Sequence, residues 1–222
     1  RFVAFDPAQK LHEVEVVGEV ANQNYHGMAV PDMLVISSDK TYSQALRLAE
    51  IHKRYTGLDV AVVPFREACN EFSSGALHPM AIRRLVKMLY DREPGKLKAV
   101  MLFARAFSDN TGLMSTETRE DFEATYVPML QCVDSSISGE TPKCYATDAI
   151  YAMLNDNFVF NDGKSSGSFM RGLLDINVGR VPAGSFGEAK DYVDKLETYL
   201  SEPSEEPIYN RALILTDNGD KN

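Results

Sequence analysis

The chain has 222 residues, 44% hydrophobic, 25% charged and 9% aromatic, an ordinary globular composition with room for one large domain or two small ones. Thirty-two acidic against 23 basic side chains leave a net charge of −9, which argues against nucleic acid as a partner, because an extended phosphate-binding surface needs clustered Lys and Arg. No stretch approaches the roughly 18 uncharged apolar residues of a membrane-spanning helix, and Arg1-Phe2-Val3-Ala4 lacks the basic, apolar, small-residue succession of a signal peptide.

Residues 1–30 read as the end of an upstream β-rich region and a linker. Leu11 to Val20 alternate loosely between apolar and charged, and Asn22-Gln23-Asn24-Tyr25-His26-Gly27 breaks the pattern. Met33-Leu34-Val35-Ile36 is a continuous apolar run that predicts a buried strand. Ser37-Ser38-Asp39 follow as a helix N-cap cluster, and Tyr42, Ala45, Leu46, Ala49 and His52 recur at helical spacing up to Gly57. Val60 to Val63 predict a second strand. Met80 to Tyr90 predict a helix with Ile82, Leu85, Val86 and Leu89 inward, ended by Pro94-Gly95, and Ala99 to Phe103 predict a third strand. These spacings suit a parallel sheet with helices on both faces.

From Ala104 to Gly172 the periodicity fades into polar sequence too long for a simple connection, so short elements such as Tyr151 to Leu154, or functional loops, are expected. Leu174 to Gly179 read as a strand and Ser185 to Leu200 as a helix with Phe186, Ala189, Tyr192, Val193, Leu196 and Leu200 on one face. The acidic, proline-punctuated stretch Ser201 to Pro207 is the clearest linker. It places a first α/β subdomain at 31–202, with 203–222 as linker and first strand, Ala212 to Thr216, of an incomplete second one. Starting at Arg and stopping soon after an apolar strand, the chain reads as a piece of a longer protein.

No complete active site is visible. Asp162-Gly163-Lys164-Ser165 lacks the earlier glycine of a phosphate loop, because Phe158 stands there, and no Gly-x-Gly-x-x-Gly occurs at a strand–helix junction. A phospho-receiver would need acidic residues after the first and third strands, where Ser37-Ser38 and Ala104-Arg105 stand. Cys69, Cys132 and Cys144 form neither a Cys-x-x-Cys pair nor a pairing with a histidine at an apolar strand's carboxyl end, so they read as inert thiols. No cofactor is expected. Asp156 and Asp162, in Asn155-Asp156-Asn157 and Asn161-Asp162-Gly163, carry oxygen ligands suited to calcium, but Asn, Asp and Gly are equally what turns use.

Several strings together resemble the gingipain-type cysteine peptidases: Asn22 to Gly27 with Pro31 to Ile36, Asn70-Glu71-Phe72-Ser73-Ser74-Gly75, Lys87 to Asp91, and Asp175 to Pro182 containing Gly179-Arg180, followed by Glu188-Ala189 and Val193 to Lys195. The resemblance implies a caspase-like α/β catalytic domain of two subdomains, of which this chain supplies the first and the opening strand of the second. Within the family it points to the sortases of type IX secretion. Such enzymes remove C-terminal sorting domains from protein cargo, attach the cargo to a surface glycolipid and work with other secretion-system components at the outer membrane. It further implies that the catalytic Cys and His lie beyond Asn222, and that the residue orienting the histidine is Asn218 by motif position or Asp217 as the better acid. Asp148 matches a family aspartate that could shape the site, or is a helix N-cap. Arg105 stands in Ala104-Arg105-Ala106 where the family usually has Gly-Asp-Gly, and with Asp109 it is a candidate at the substrate site. A degenerate α/β interaction domain without peptidase activity is the rival expectation.

Overall fold

The computed structural model of the chain describes residues 18–19, 22–107, 109–113, 115–134, 143–155, 159–160 and 170–202. Strand β1, Met33–Ser37, is buried at every position, as a strand covered on both faces must be, and this explains its unbroken apolar run. Helix α1, Tyr42–Tyr55, leads to β2, Val60–Pro64, and Gly57 turns the chain between them at φ +70°. Helix α2, Phe65–Phe72, and helix α3, Pro79–Arg92, carry the chain back to β3, Ala99–Phe103. After an excursion come β8, Asn177–Val181, and the last described helix, α5, Phe186–Ser201. The excursion holds α4, Arg119–Thr125, the antiparallel pair β4, Leu130–Asp134, and β5, Lys143–Thr147, and a short pair of β6, Val159–Phe160, and β7, Met170–Arg171.

The main sheet runs β2-β1-β3-β8 with every neighbouring pair parallel, the α/β arrangement expected of a caspase-like domain. On one face Leu34, Ile36, Val100 and Leu102 pack against α2 and α3 through Phe65, Ala68, Ile82, Leu85 and Leu89. On the other, Val35, Phe103 and Val181 meet Ala45, Leu48 and Ile51 of α1 and Ala189 and Val193 of α5. The excursion closes the first layer: Phe122, Tyr126, Ile150, Tyr151 and Leu154 join the α2–α3 core.

Four local expectations are corrected. The buried stripe of α1 is Gln44, Ala45, Leu48 and Ile51, whereas Leu46 is 44% exposed, because only that stripe faces the sheet. Its N-cap is Thr41 rather than the Ser37–Asp39 cluster; Ser37 and Ser38 are buried, and Ser38 N–H donates to Thr41 Oγ1. On α5 Ala189 and Val193 are buried, Leu196 and Leu200 pack partly against the same core and Tyr192 lies edge-on to Phe103, whereas Phe186 is 51% exposed. Strand β8 begins three residues after Leu174, which is exposed, because the Asp175 carboxylate accepts from the backbone N–H groups of Leu154 and Asn155 and holds the chain in a turn there. The expected strands at Leu11 to Val20 and Ala212 to Thr216, and the linker at Pro203 to Pro207, lie outside the described residues.

At the amino edge of the sheet Asp32 ties three strands together. Its N–H donates to Asp59 O, its carbonyl accepts from Lys98 N–H, and its carboxylate accepts Asp59 N–H at 3.0 Å and pairs with Lys98 at 3.0 Å and Lys96 at 3.4 Å. The Asp59 N–H first, and then Lys98, holds this carboxyl down at about 2. A carboxyl depressed by folding stabilises the protein above its unfolded pKa and loses that contribution as pH falls through the folded value. Asp32→Asn is therefore expected to cost about 1 kcal/mol at pH 7 once solvent screening of the exposed lysines is allowed for, and in urea melts the gap to wild type should close between about pH 4 and pH 2.

Candidate active-site edge

Parallel register puts the ends of the four strands in one row: Ser37 opposite Pro64 and Phe103, and Phe103 opposite Val181. Open α/β sheets gather ligands outside such carboxyl ends, at the point where the strand order reverses, which here lies between β1 and β3. That crevice is filled. Thr41 Oγ1 donates to Phe103 O at 2.5 Å, and Lys40 N–H donates to Ala124 O of α4 at 2.9 Å. Arg66 pairs with Asp39 at 3.6 Å and Glu123 at 3.3 Å. Helix α4 thus sits over the ends of β1 and β3.

Beside it, a cleft of about 310 Å³ opens in the 105–126 segment, lined by Phe107, Asp109, Gly112, Ser115, Glu117 and Phe122. Phe107 and Phe122 pack at 4.9 Å between ring centroids and give it an apolar floor. Arg105 packs behind two of the lining residues, Phe107 and Glu117. Its guanidinium donates to Thr125 Oγ1 from Nε at 3.0 Å and from Nη2 at 2.6 Å, pairs with Glu117, and lies 4.3 Å over the Phe107 ring. Its backbone continues β3 outward, donating to Ala183 O and accepting from Val127 N–H. The positive charge of Arg105 is thus neutralised by Glu117. The side chain also crosses Gly184, where a Cβ would lie 2.6 Å from Arg105 Cδ. Asp109 accepts from Thr111 N–H at 2.9 Å and closes a turn through its carbonyl to Gly112 N–H.

Asp148 and Arg180 meet at the far side of this edge. Arg180 Nε and Nη2 donate to the two Asp148 carboxylate oxygens at 2.8 and 2.7 Å, both side chains being largely buried. Asp148 also stands at the N-cap position of the 3₁₀ turn Ala149–Tyr151 and accepts Tyr151 N–H through its carbonyl, but its carboxylate makes no capping bond and is held by Arg180 instead.

The other quoted strings meet elsewhere, on the outer helical layer. Glu71 accepts Tyr25 N–H at 2.6 Å and His26 N–H at 3.2 Å and pairs with His26 Nδ1 at 3.1 Å, while the His26 ring stacks on Phe72 at 4.5 Å. Asn70 Nδ2 donates to Gln23 Oε1 at 3.4 Å. Ser73 Oγ caps the end of α2 against Cys69 O, and Ser74 at φ +54° and Gly75 at φ +81° reverse the chain toward α3. Gly179 lies on β8 with open space at its Cβ position. Cys69 is fully buried and its thiol is pushed up by that burial, consistent with an inert side chain.

Sequence reasoning missed α4, and with it Glu117, Glu123 and Thr125. Thr118-Arg119-Glu120-Asp121 was the available signal: as N-cap, Thr118 Oγ1 accepts Asp121 N–H at 3.1 Å and donates its own proton to the Asp121 carboxylate at 2.8 Å. Among the described residues no group of three His, Cys, Asp or Glu side chains is placed to hold a metal ion, and no helix is long and apolar enough to cross a membrane. Asp156, Asp162, Asp217 and Asn218 lie outside the described residues.

A profile of peptidase family C25 matches residues 28–222, and the chain belongs to that family, the gingipain family of cysteine peptidases. Among solved structures it is similar to dimeric latent PorU from Porphyromonas gingivalis, with 29% identity and a TM-score of 0.69 over 83% of this chain. The match covers 17% of the PorU chain, so this chain spans less than a fifth of that protein's length. No curated protein matches it.

Proposed function

We propose that the chain is the first subdomain, residues 31–202, and the start of the second subdomain of a gingipain-like cysteine endopeptidase that serves as a type IX secretion sortase at the cell surface. The observation that carries this reading is the 29% identity to PorU sustained over 83% of the chain, on top of the family match. In the reaction a cysteine thiolate attacks the carbonyl that joins cargo to its C-terminal sorting domain. The amine of the sorting domain leaves with a proton from the histidine, and the thioester is then resolved by an amine on a surface glycolipid or by water. Both catalytic groups lie beyond Asn222 in this reading, and Asn218 or Asp217 orients the imidazole. The described residues supply the opposing wall, with its cleft at Phe107 to Phe122.

The test compares residues 1–222 with the full-length protein, each incubated with a thiol-directed active-site probe and with a reporter cargo carrying a sorting domain, plus an amine acceptor. The full-length protein is expected to label and to transfer cargo, and residues 1–222 to do neither. Probe-sensitive cleavage by residues 1–222 alone would overturn the placement of the nucleophile. A full-length protein that folds but neither labels nor cleaves would leave the interaction domain as the correct reading.

A further inference from the structure

Arg180 sits one residue before the end of β8, on the face of the sheet that carries α2 and α3, with its side chain only 12% exposed. A guanidinium has five N–H donors in a fixed fork. Here every donor atom is engaged: Nε and Nη2 hold Asp148, Nη1 donates to Ala104 O at 3.0 Å and Val127 O at 2.9 Å, and Nη2 also reaches Pro128 O at 3.2 Å. The three carbonyls are not scattered. Ala104 is the last residue before the segment that forms the cleft, and Val127 and Pro128 are the first after it. One side chain therefore grips both stems of the 105–126 excursion, and Asp148 supplies the charge that fixes the plane of the fork.

We propose that Arg180 is a positioning residue for substrate: it sets where the cleft residues Phe107, Glu117 and Phe122 stand relative to the sheet edge, and so governs how a peptide is held there. This rests on the peptidase reading above. Lysine cannot reproduce the grip, because a single ammonium offers three donors from one point and cannot span Asp148 and both stems. A residue that only held the fold together would reduce the amount of correctly folded enzyme; one that positions the wall changes how well each folded molecule binds. Small displacements of a binding wall cost binding and orientation while leaving distant reacting groups intact.

The decisive experiment uses the full-length protein with Arg180→Lys and Asp148→Asn, and measures peptide cleavage with the active fraction titrated by a thiol-directed probe. Amide exchange across 104–128 is followed in parallel. The expected result for Arg180→Lys is a KM raised about tenfold with kcat per titrated site within twofold of wild type, and faster exchange in 104–128 but not in α1 or β2. Asp148→Asn should shift both in the same direction by less. Unchanged KM per titrated site, with only yield or melting temperature reduced, would overturn the proposal and leave a structural ion pair. So would a loss confined to kcat. If the wild-type protein proves to have no peptidase activity, the peptidase reading fails on that control, while unchanged exchange in 104–128 of Arg180→Lys would separately overturn the grip itself.

Discussion

Replacing Glu71 by alanine should lower the unfolding free energy by about 1.5–3 kcal/mol, the range for hydrogen bonds to a charged group. The carboxylate is 14% exposed and serves three donors, the N–H groups of Tyr25 and His26 and the His26 ring. Those donors belong to the segment that leads into β1, whose other contacts with α2 and α3 include Gln23 donating to Glu67 O, the Tyr25 hydroxyl donating to the Glu67 carboxylate, Asn70 donating to Gln23, the His26–Phe72 stack, and Arg92 donating to the carbonyls of His26 and Met28. Loss of Glu71 should therefore release residues 22–28 preferentially. Urea denaturation gives the magnitude, and exchange of the Tyr25 and His26 amides gives the location. Glu71→Gln, which keeps an acceptor but not the charge, should fall between. Equal amide protection in wild type and Glu71→Ala would show that the segment is held by its other contacts.

Gly112→Ala is expected to cost about 2–4 kcal/mol, combining the 1–2 kcal/mol of a left-handed conformation with overpacking of the core. Gly112 has φ +68°, and an added Cβ would lie 2.9 to 3.2 Å from three ring carbons of Phe122, which is 2% exposed and floors the cleft. Gly57 supplies the comparison, with φ +70° and open space around its Cβ position. Gly57→Ala should cost only the conformational part, about 1 kcal/mol. The difference between the two variants measures how firmly the Phe122 ring is fixed, and a difference near zero would mean that the ring gives way freely.

The sheet was legible because β1 is buried on both faces and β2 and β3 are buried or half-buried along their length, so all three write unbroken apolar runs and stand where those runs stand. Strand β8 was displaced in the reading because Leu174 is apolar yet exposed, and its neighbour Asp175 is committed to the backbone of Leu154 and Asn155 rather than to a strand. Helix α2 was passed over although Phe65, Ala68, Cys69 and Phe72 lie at 3 and 4 spacing after Pro64, because eight residues fall below the length at which periodicity speaks clearly. At the candidate edge, Arg105, Asp109 and Asp148 could be singled out by comparison with a family pattern, but their partners could not. Arg180 finds Asp148 from 32 positions away and Glu71 finds Tyr25 from 46, and no local preference encodes such pairings. The family strings carried that information without displaying it: Asn22 to Gly27 and Asn70 to Gly75 are two sides of one contact.

The helix lying over the ends of β1 and β3 divides the sheet's upper rim into two territories. Ser37, Ser38 and Thr41 are sealed beneath α4, out of reach of anything arriving from solvent, so substitutions there should be felt as changes in folding alone. What remains open to a visitor belongs to the outgoing loop of β3, where Phe107 and Glu117 line the cleft with Arg105 packed behind them. Divergence among relatives at positions 37, 38 and 41 would then track the fit of one helix, while divergence at 105–122 would track what each protein admits.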